Sequence, residues 1–311
     1  MIVRNIGIVR SCISRFEIQY SHSLQQCTRS SFSTTTIDDS PVEMEYLQFN
    51  PASATKPEKS APMVVLHGLL GSKQNNRTVC KRFAKDLNTT VYALDMRNHG
   101  DSPHRRVHDY PHLAKDVIFF LEKHLKDQPA VVLGHSMGAK TAMAVALTRP
   151  DLVSAMIAVD NAPVSAALGK DIVSYVDALH IVETKKLKSV RDAFKALEKY
   201  EKNADIRNFL LTNAIRTEDG SVAFRVPLVT LARSLSHIAE FPYDPHKLRY
   251  EGPSLFVRGT RSHYVPDESI PLIGQFFPRF ILKDIDSGHW VISEKTNEFV
   301  RVVEEFLIKD D

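Results

Sequence analysis

The sequence has little cysteine and no long uninterrupted apolar run. Its 311 residues contain three cysteines, Cys12, Cys27 and Cys80, and the first two lie in an N-terminal segment of unusual composition. A disulfide framework is therefore excluded, and no cysteine or histidine spacing matches a metal-binding motif. No apolar stretch approaches the roughly 20 residues that a membrane-spanning helix needs. We expect neither a metal site nor a membrane span, and we assign Cys80 to the core.

The first 36 residues have almost no acidic residues. They contain Glu17 alone against four arginines and no lysine, and they end in a stretch rich in serine and threonine at 30–36. Such an arginine-rich, serine-rich and acid-poor composition is typical of a mitochondrial transit peptide. Arg4 and Arg10 interrupt the apolar core that a secretory signal needs, and a disordered tail is the other alternative. We therefore predict a transit peptide at 1–36 and a mitochondrial location.

The net charge of +3 arises in that segment, because the remainder contains equal numbers of basic and acidic residues. A balanced remainder offers no basic face, so we predict no nucleic-acid partner. Hydrophobic residues make up 43% of the chain. At this length that share can fill the core of one large domain with an insertion.

Short apolar runs alternate with helix-like segments along most of the chain. The runs at 44–49, 63–66, 91–95, 130–133, 156–160, 254–259 and 280–282 are typical of strands, and those at 77–87, 117–125, 139–146, 267–276 and 294–308 of helices. Between 161 and 250 strand-like runs are scarce, and helices are predicted at 187–200, 204–215 and 229–238. The pattern predicts an α/β core from 41–160 and 251–311 with a mostly parallel sheet, and an inserted helical cap at 161–250.

A G-x-S-x-G motif, G-H-S-M-G at 134–138, stands between a predicted strand and a predicted helix. This is the context that a nucleophile elbow requires. The turn is tight enough to strain the central Ser136, and glycine at the flanking positions relieves the crowding. The strain lifts the Ser136 hydroxyl out of the sheet and leaves the Met137 N–H at a helix N-terminus, where it can bind a developing oxyanion.

A serine hydroxyl needs a base to become a nucleophile at neutral pH. His289 lies in a turn shortly after the last predicted strand, and the chain order of serine, acid and histidine is the one used by this type of fold. For the acid the residues leave two candidates. Asp160, which ends the strand after the elbow helix, is preferred, and Asp267, an acid in the first turn of the predicted helix 267–276, is the reserve candidate. The loop after the predicted strand 254–259 has Ser262 where a carboxylate is expected.

The second oxyanion donor is expected from the loop H-G-L-L-G at 67–71, which follows the strand 63–66. Its glycines allow the Leu69 N–H to turn toward the site, where it joins the Met137 N–H. We interpret four other histidines as structural rather than catalytic: His67, His99, His135 and His263. The segment R-N-H-G at 97–100 is interpreted as a network that organises its loop.

These residues resemble the α/β-hydrolase superfamily, and within it the mitochondrial α/β-hydrolase domain proteins and the related yeast ethanol acetyltransferases. The matching stretches are 65–72, 95–100, 134–140, 159–163 and 287–289. The resemblance implies Asp160 as the acid, with Ser262 in the place of the usual carboxylate. It also implies acyl transfer without a metal or prosthetic group, with acetyl-CoA as a possible substrate.

The sequence thus predicts a serine-dependent acyl-transfer enzyme acting on a small ester, thioester or alcohol. His135 and Met137 around the serine resemble the hydrolase-type members, which favours an ester or thioester hydrolase over an alcohol acetyltransferase. A scaffold without catalysis is a third hypothesis. The intact set of Ser136, Asp160 and His289 argues against it, because a scaffold has no need of these residues.

Overall fold

A seven-stranded sheet forms the centre of the computed structural model, which describes residues 39–51, 53, 59–165 and 170–308. The predicted transit peptide lies outside the described residues. The strands are β1 (Tyr46–Phe49), β2 (Met63–Leu66), β3 (Val91–Leu94), β4 (Ala130–His135), β5 (Val153–Val159), β6 (Ala214–Arg216), β7 (Val222–Phe224), β8 (Ser254–Gly259) and β9 (Phe280–Ile285). Seven of them pair in the order β1-β3-β2-β4-β5-β8-β9, while β6 and β7 form a separate hairpin. Only the edge strand β1 pairs antiparallel within the large sheet, so the predicted mostly parallel sheet is confirmed.

Helices cover both faces of this sheet. They are α1 (Arg77–Asp86), α2 (Tyr110–Leu125), α3 (Met137–Thr148), α4 (Lys170–Thr184), α5 (Val190–Leu197), α6 (Ala204–Leu211), α7 (Leu228–Ala239), α8 (Ile270–Phe276), α9 (Val291–Glu294) and α10 (Thr296–Ile308). In β2 all four side chains are buried, which is why its sequence is continuously apolar rather than alternating. Val65 packs toward α1 and α10, whereas Val64 packs toward α2 and α3. Cys80 of α1 is fully buried, as predicted.

The segment between β5 and β8 differs from its prediction in two places. Helix α4 was not predicted, although its buried face has helical spacing at Val176, Leu179 and Val182. The predicted helix 204–215 is too long, because it ends at Leu211 and the chain enters the β6–β7 hairpin. The buried Asn213 explains the end, since its side-chain amide donates to the Leu70 carbonyl at 2.7 Å and turns the chain toward the core.

The last helix of the cap is fixed to the core at its C-terminal end. Tyr110 donates a hydrogen bond from its hydroxyl to the Ile238 carbonyl at 2.9 Å. The Lys140 ammonium donates to the carbonyls of Ala239 and Glu240, at 3.1 Å each. These side chains satisfy carbonyls that have no partner within α7. Burial lowers the pKa of Lys140 to about 8.

No helix within the described ranges is both long and apolar enough to cross a membrane.

Candidate active site

Ser136 occupies a sharp turn between β4 and α3. Its backbone has φ +56° and ψ −114°, a strained conformation for a residue with a side chain. A Cβ atom on Gly134 would lie 2.0 Å from the Gly138 carbonyl oxygen, and one on Gly138 would lie 2.4 Å from the Leu66 carbonyl oxygen. Both positions therefore require glycine. Because glycine has no Cβ, the turn can pack tightly enough to expose the serine hydroxyl to the site.

A continuous chain of hydrogen bonds links Ser136, His289 and Asp160. The Nε2 atom of His289 lies 3.0 Å from the Ser136 Oγ, and its Nδ1 lies 2.7 Å from the Asp160 Oδ2. The Asp160 side chain is fully buried, while that of His289 is 15% exposed. With the Nδ1 proton directed at the carboxylate, Nε2 is free to accept the serine proton. The structure thus brings together the three residues that the sequence singled out.

Asp160 directly follows β5, and hydrogen bonds from the end of β8 and the loop after it fix its side chain. It has φ +51°, and its carboxylate accepts hydrogen bonds from the Gly259 N–H at 3.0 Å and the Ser262 hydroxyl at 2.5 Å, besides that from His289. Ser262 therefore supports a carboxylate that comes from the neighbouring strand. Asp267 has a different environment, because its 81% exposed side chain forms an ion pair with Arg258 at 2.6 Å.

The two amides predicted as oxyanion donors belong to Met137, directly after the serine, and to Leu69 in the loop after β2. Met137 is the first residue of α3, so its N–H has no partner within the helix. The loop with Leu69 lies against the nucleophile, since a Cβ on Gly68 would be 3.3 Å from the Ser136 Cβ. Across the described ranges, the Leu69 N–H makes no hydrogen bond. Both amides thus have a free N–H among the described residues, as the prediction requires.

Two aromatic rings lie next to the His289 imidazole. Tyr264 stacks on it with ring centroids 4.1 Å apart and planes inclined by 25°. The ring centroid of His135 is 4.9 Å away, and its Nε2 donates to the His289 carbonyl at 2.8 Å. Sequence reasoning assigned His135 a structural part and missed Tyr264. Tyr264 belongs to no chemical motif, so nothing in the sequence marked it for this contact.

The other histidines near the site organise loops, in line with their structural interpretation. His67 donates from Nδ1 to the Gly68 carbonyl at 2.8 Å and accepts at Nε2 from the Met96 N–H at 2.9 Å. His99 accepts at Nε2 from the Leu70 N–H at 3.0 Å. These bonds connect the oxyanion loop to the loop after β3. The exposed His263 stands apart from this network.

The segment 97–100 organises the loop after β3, as the sequence predicted. Arg97 is fully buried and forms a two-pronged ion pair with Asp116 of α2, at 2.5 and 2.7 Å. The Val42 N–H donates to the same carboxylate at 2.9 Å. Such a pair fixes the loop firmly because breaking it leaves a buried charge without a partner.

Burial of histidines predicts a strong loss of stability in mild acid. Burial lowers the pKa of His108 to about 3 and of His135 to about 4, and it also lowers the pKa of His67 and His99. Unfolded histidine binds a proton near pH 6.5, so between pH 6.5 and 4 the unfolded chain binds protons that the folded chain does not. From His108 and His135 alone we expect the free energy of unfolding to fall by about 2 kcal/mol from pH 6 to pH 5, measured by urea unfolding, and His67 and His99 add to the fall.

Two variants separate this effect from general acid sensitivity. His108→Leu removes one of the four groups, whose buried Nε2 has no hydrogen-bond partner among the described residues, and we expect the slope of stability against pH to decrease by about one proton. His246→Gln changes an exposed histidine and serves as the control, with the wild-type slope expected. A stability that stays constant from pH 6.5 to pH 5 would contradict the neutral state of the buried histidines.

A mostly parallel sheet with a strained serine turn after its central strand is the architecture of the α/β-hydrolases, and this chain belongs to that family. The family model described as alpha/beta hydrolase fold matches residues 61–180. Within the residues that the structure describes, no cluster of three or more His, Cys, Asp or Glu side chains could hold a metal ion.

Similar proteins include hydrolases and transferases. The chain is 40% identical over 262 residues to a probable alcohol acetyltransferase of Saccharomyces cerevisiae, covering 79% of this chain and 77% of that protein. It is 38% identical over 251 residues to the sn-1-specific diacylglycerol lipase ABHD11 of Xenopus laevis, covering 79% of each. A marine microorganism esterase of known structure superposes with a TM-score of 0.77 at 29% identity, covering 85% of this chain and 99% of that one.

Proposed function

We propose that this protein is a serine-dependent hydrolase of carboxylic esters or thioesters, and that it works through an acyl-enzyme. The observation that carries the proposal is the hydrogen-bonded chain from the Ser136 Oγ through His289 to Asp160. In this chain the serine is the nucleophile, the histidine is the general base and the aspartate orients the imidazole. No metal or prosthetic group takes part in this proposed mechanism, because proton transfer and oxyanion binding by side chains and amides suffice for acyl transfer.

In the first half of the reaction, the Ser136 Oγ attacks the substrate carbonyl and its proton passes to the Nε2 of His289. The tetrahedral oxyanion is stabilised by the N–H groups of Leu69 and Met137. The buried carboxylate of Asp160 stabilises the imidazolium that forms. Collapse of the intermediate breaks the bond to the alcohol or thiol, which takes the proton from His289 as it leaves.

In the second half, a water molecule attacks the acyl-enzyme and gives its proton to the Nε2 of His289. The same two amides bind the second oxyanion, and the carboxylic acid leaves as the serine regains its proton from His289. The products are one acid and one alcohol or thiol for each water consumed.

The second candidate is an alcohol acetyltransferase, which the 40% identity to the yeast protein favours. In that reaction acetyl-CoA acylates Ser136, and ethanol rather than water takes the acetyl group to give ethyl acetate. All five proposed catalytic groups are the same in both reactions. The two candidates therefore differ only in which hydroxyl compound reaches the acyl-enzyme.

The fate of the acyl group is tested by supplying acetyl-CoA with and without ethanol and measuring free CoA and ethyl acetate. Hydrolysis predicts CoA release without ethanol and little ester at any ethanol concentration. Ester formation that rises with ethanol and accounts for most of the CoA released would replace the hydrolase proposal with the transferase. Ser136→Ala is the control, and it should abolish both products.

We also propose that the protein acts in mitochondria, on the composition of residues 1–36. The test is a fusion of residues 1–40 to a fluorescent reporter. Delivery to mitochondria supports the proposal, and a reporter that stays in the cytosol contradicts it.

A further inference from the structure

A cavity lies next to the elbow, between the core and α6 of the cap. Its volume is about 590 Å³, within the range of small-molecule sites. Gly68 and His135 form its wall on the side of the nucleophile, and Phe209 and Trp290 line it from the cap and from the turn after His289. Neither Ser136 nor His289 lines it. The cavity is thus a neighbour of the reacting groups rather than part of their surface.

Two largely buried residues in its wall have polar side-chain atoms that are accessible and make no hydrogen bond in the part of the chain that the structure describes. Asn76 is 5% exposed as a residue, and its side-chain amide has no hydrogen bond there. His135 is 9% exposed and uses its Nε2–H on the His289 carbonyl, which leaves Nδ1 as an acceptor. A ligand in the cavity can therefore donate to the Nδ1 of His135 and exchange hydrogen bonds with the amide of Asn76.

The charges of the wall limit the kind of ligand. Asp205 and Glu294 line the cavity, and none of its lining residues is a lysine or arginine. Its two imidazoles do not supply positive charge either, because burial lowers the pKa of both His67 and His135. A phosphate or carboxylate would therefore enter without a cationic partner and near two acids, at a high desolvation cost. An uncharged group that both donates and accepts hydrogen bonds fits the wall.

We propose that this cavity is a second binding site, separate from the reaction at Ser136, for an uncharged molecule that carries hydroxyl groups. A hydroxyl can donate to the Nδ1 of His135 while another exchanges hydrogen bonds with the amide of Asn76. Phe209 and Trp290, with ring centroids 4.6 Å apart, provide an apolar wall for the carbon skeleton. The binding depends on the cavity and not on the catalytic function.

Trp290 makes the site directly observable because it is the only tryptophan in the chain. The test is a fluorescence titration of the full protein with glycerol and glucose, each paired with its monophosphate, glycerol 3-phosphate and glucose 6-phosphate. We expect a saturable change with at least one of the uncharged compounds, and binding at least tenfold weaker for its phosphorylated partner. Saturation by neither uncharged compound, or equal or tighter binding of the phosphates, would overturn the proposal.

Variants assign the signal to the cavity. Asn76→Leu should weaken binding about tenfold because it removes the amide at nearly constant size, whereas the exposed Asn50→Leu should bind as the wild type does. Ile206→Phe fills the cavity from α6, away from Asn76, and should also weaken binding; it replaces Asn76→Leu if that variant fails to fold. Equal affinities of the wild type and of the folded cavity variant would contradict the assignment.

Ser136→Ala separates this inference from the proposed function. Since Ser136 does not line the cavity, this variant should bind the uncharged compound with unchanged affinity while losing hydrolysis. A parallel loss of binding would show that the signal comes from the catalytic site, and would overturn the separate site without affecting the hydrolase proposal.

Discussion

Asp160→Asn is expected to lower turnover by about 10⁴-fold while leaving the fold intact. The asparagine oxygen at the Oδ1 position still accepts from the Gly259 N–H, and the Ser262 hydroxyl can rotate to accept from the NH₂ group that replaces Oδ2, so the loop after β8 keeps its support. It cannot stabilise an imidazolium, and its NH₂ group favours the His289 tautomer with the proton on Nε2. That tautomer has no free lone pair for the serine proton. The measurement is kcat with p-nitrophenyl acetate, together with the urea midpoint of the variant.

The chain provides a matched control for this prediction. Asp267→Asn removes a carboxylate from the loop region after β8, but that carboxylate is exposed and paired with Arg258. Exposed ion pairs contribute at most about 1 kcal/mol, so we expect nearly wild-type turnover and stability. Near-normal turnover of Asp160→Asn, or a large loss with Asp267→Asn, would move the acid away from Asp160.

Gly134→Ala is expected to have the largest effect on stability. Its Cβ would lie 2.0 Å from the carbonyl oxygen of Gly138, which is backbone of the elbow and cannot rotate away as a side chain could. To accommodate it, β4 and α3 must separate at the centre of the sheet, where both are buried. We expect a loss of at least about 4 kcal/mol, measured as the urea midpoint or, if the protein does not accumulate, as soluble yield.

Gly274→Ala tests whether the steric argument holds. Gly274 lies in α8, and the nearest atom to its added Cβ is a ring carbon of Phe280 at 3.5 Å, an ordinary contact. Alanine is favoured over glycine within a helix by up to about 1 kcal/mol, so unchanged or raised stability is expected. Similar losses for Gly134→Ala and Gly274→Ala would show that the close packing of the elbow does not determine its stability.

The strands of the core could be predicted closely because burial on both faces makes their sequences continuously apolar. The predicted run 63–66 is identical to β2 for this reason. The helices of the cap were harder to place. Their ends depend on contacts with the core, such as that between Asn213 and Leu70, which local sequence patterns do not encode.

The same holds for the site: residues in a local motif could be named from the sequence, whereas residues that meet only in the fold were harder to identify. The elbow is a local motif, so Ser136 and Met137 could be named from five consecutive residues. The residues favoured Asp160 over Asp267 as the acid without settling the choice, because Asp160 and Ser262 are 102 residues apart in sequence and meet only in the folded sheet. Tyr264 was missed because its stacking on His289 depends on how two loops pack. A turn residue without a chemical motif gives no signal of such a contact.

The central claim is that Ser136 is a nucleophile activated by His289. The most direct measurement is labelling of the folded protein with a serine-directed fluorophosphonate, followed by identification of the modified peptide by mass spectrometry. We expect one stoichiometric adduct on Ser136, and strongly slowed labelling in a His289→Ala variant. Folded protein that stays unmodified at Ser136, or is labelled equally fast without His289, would contradict it.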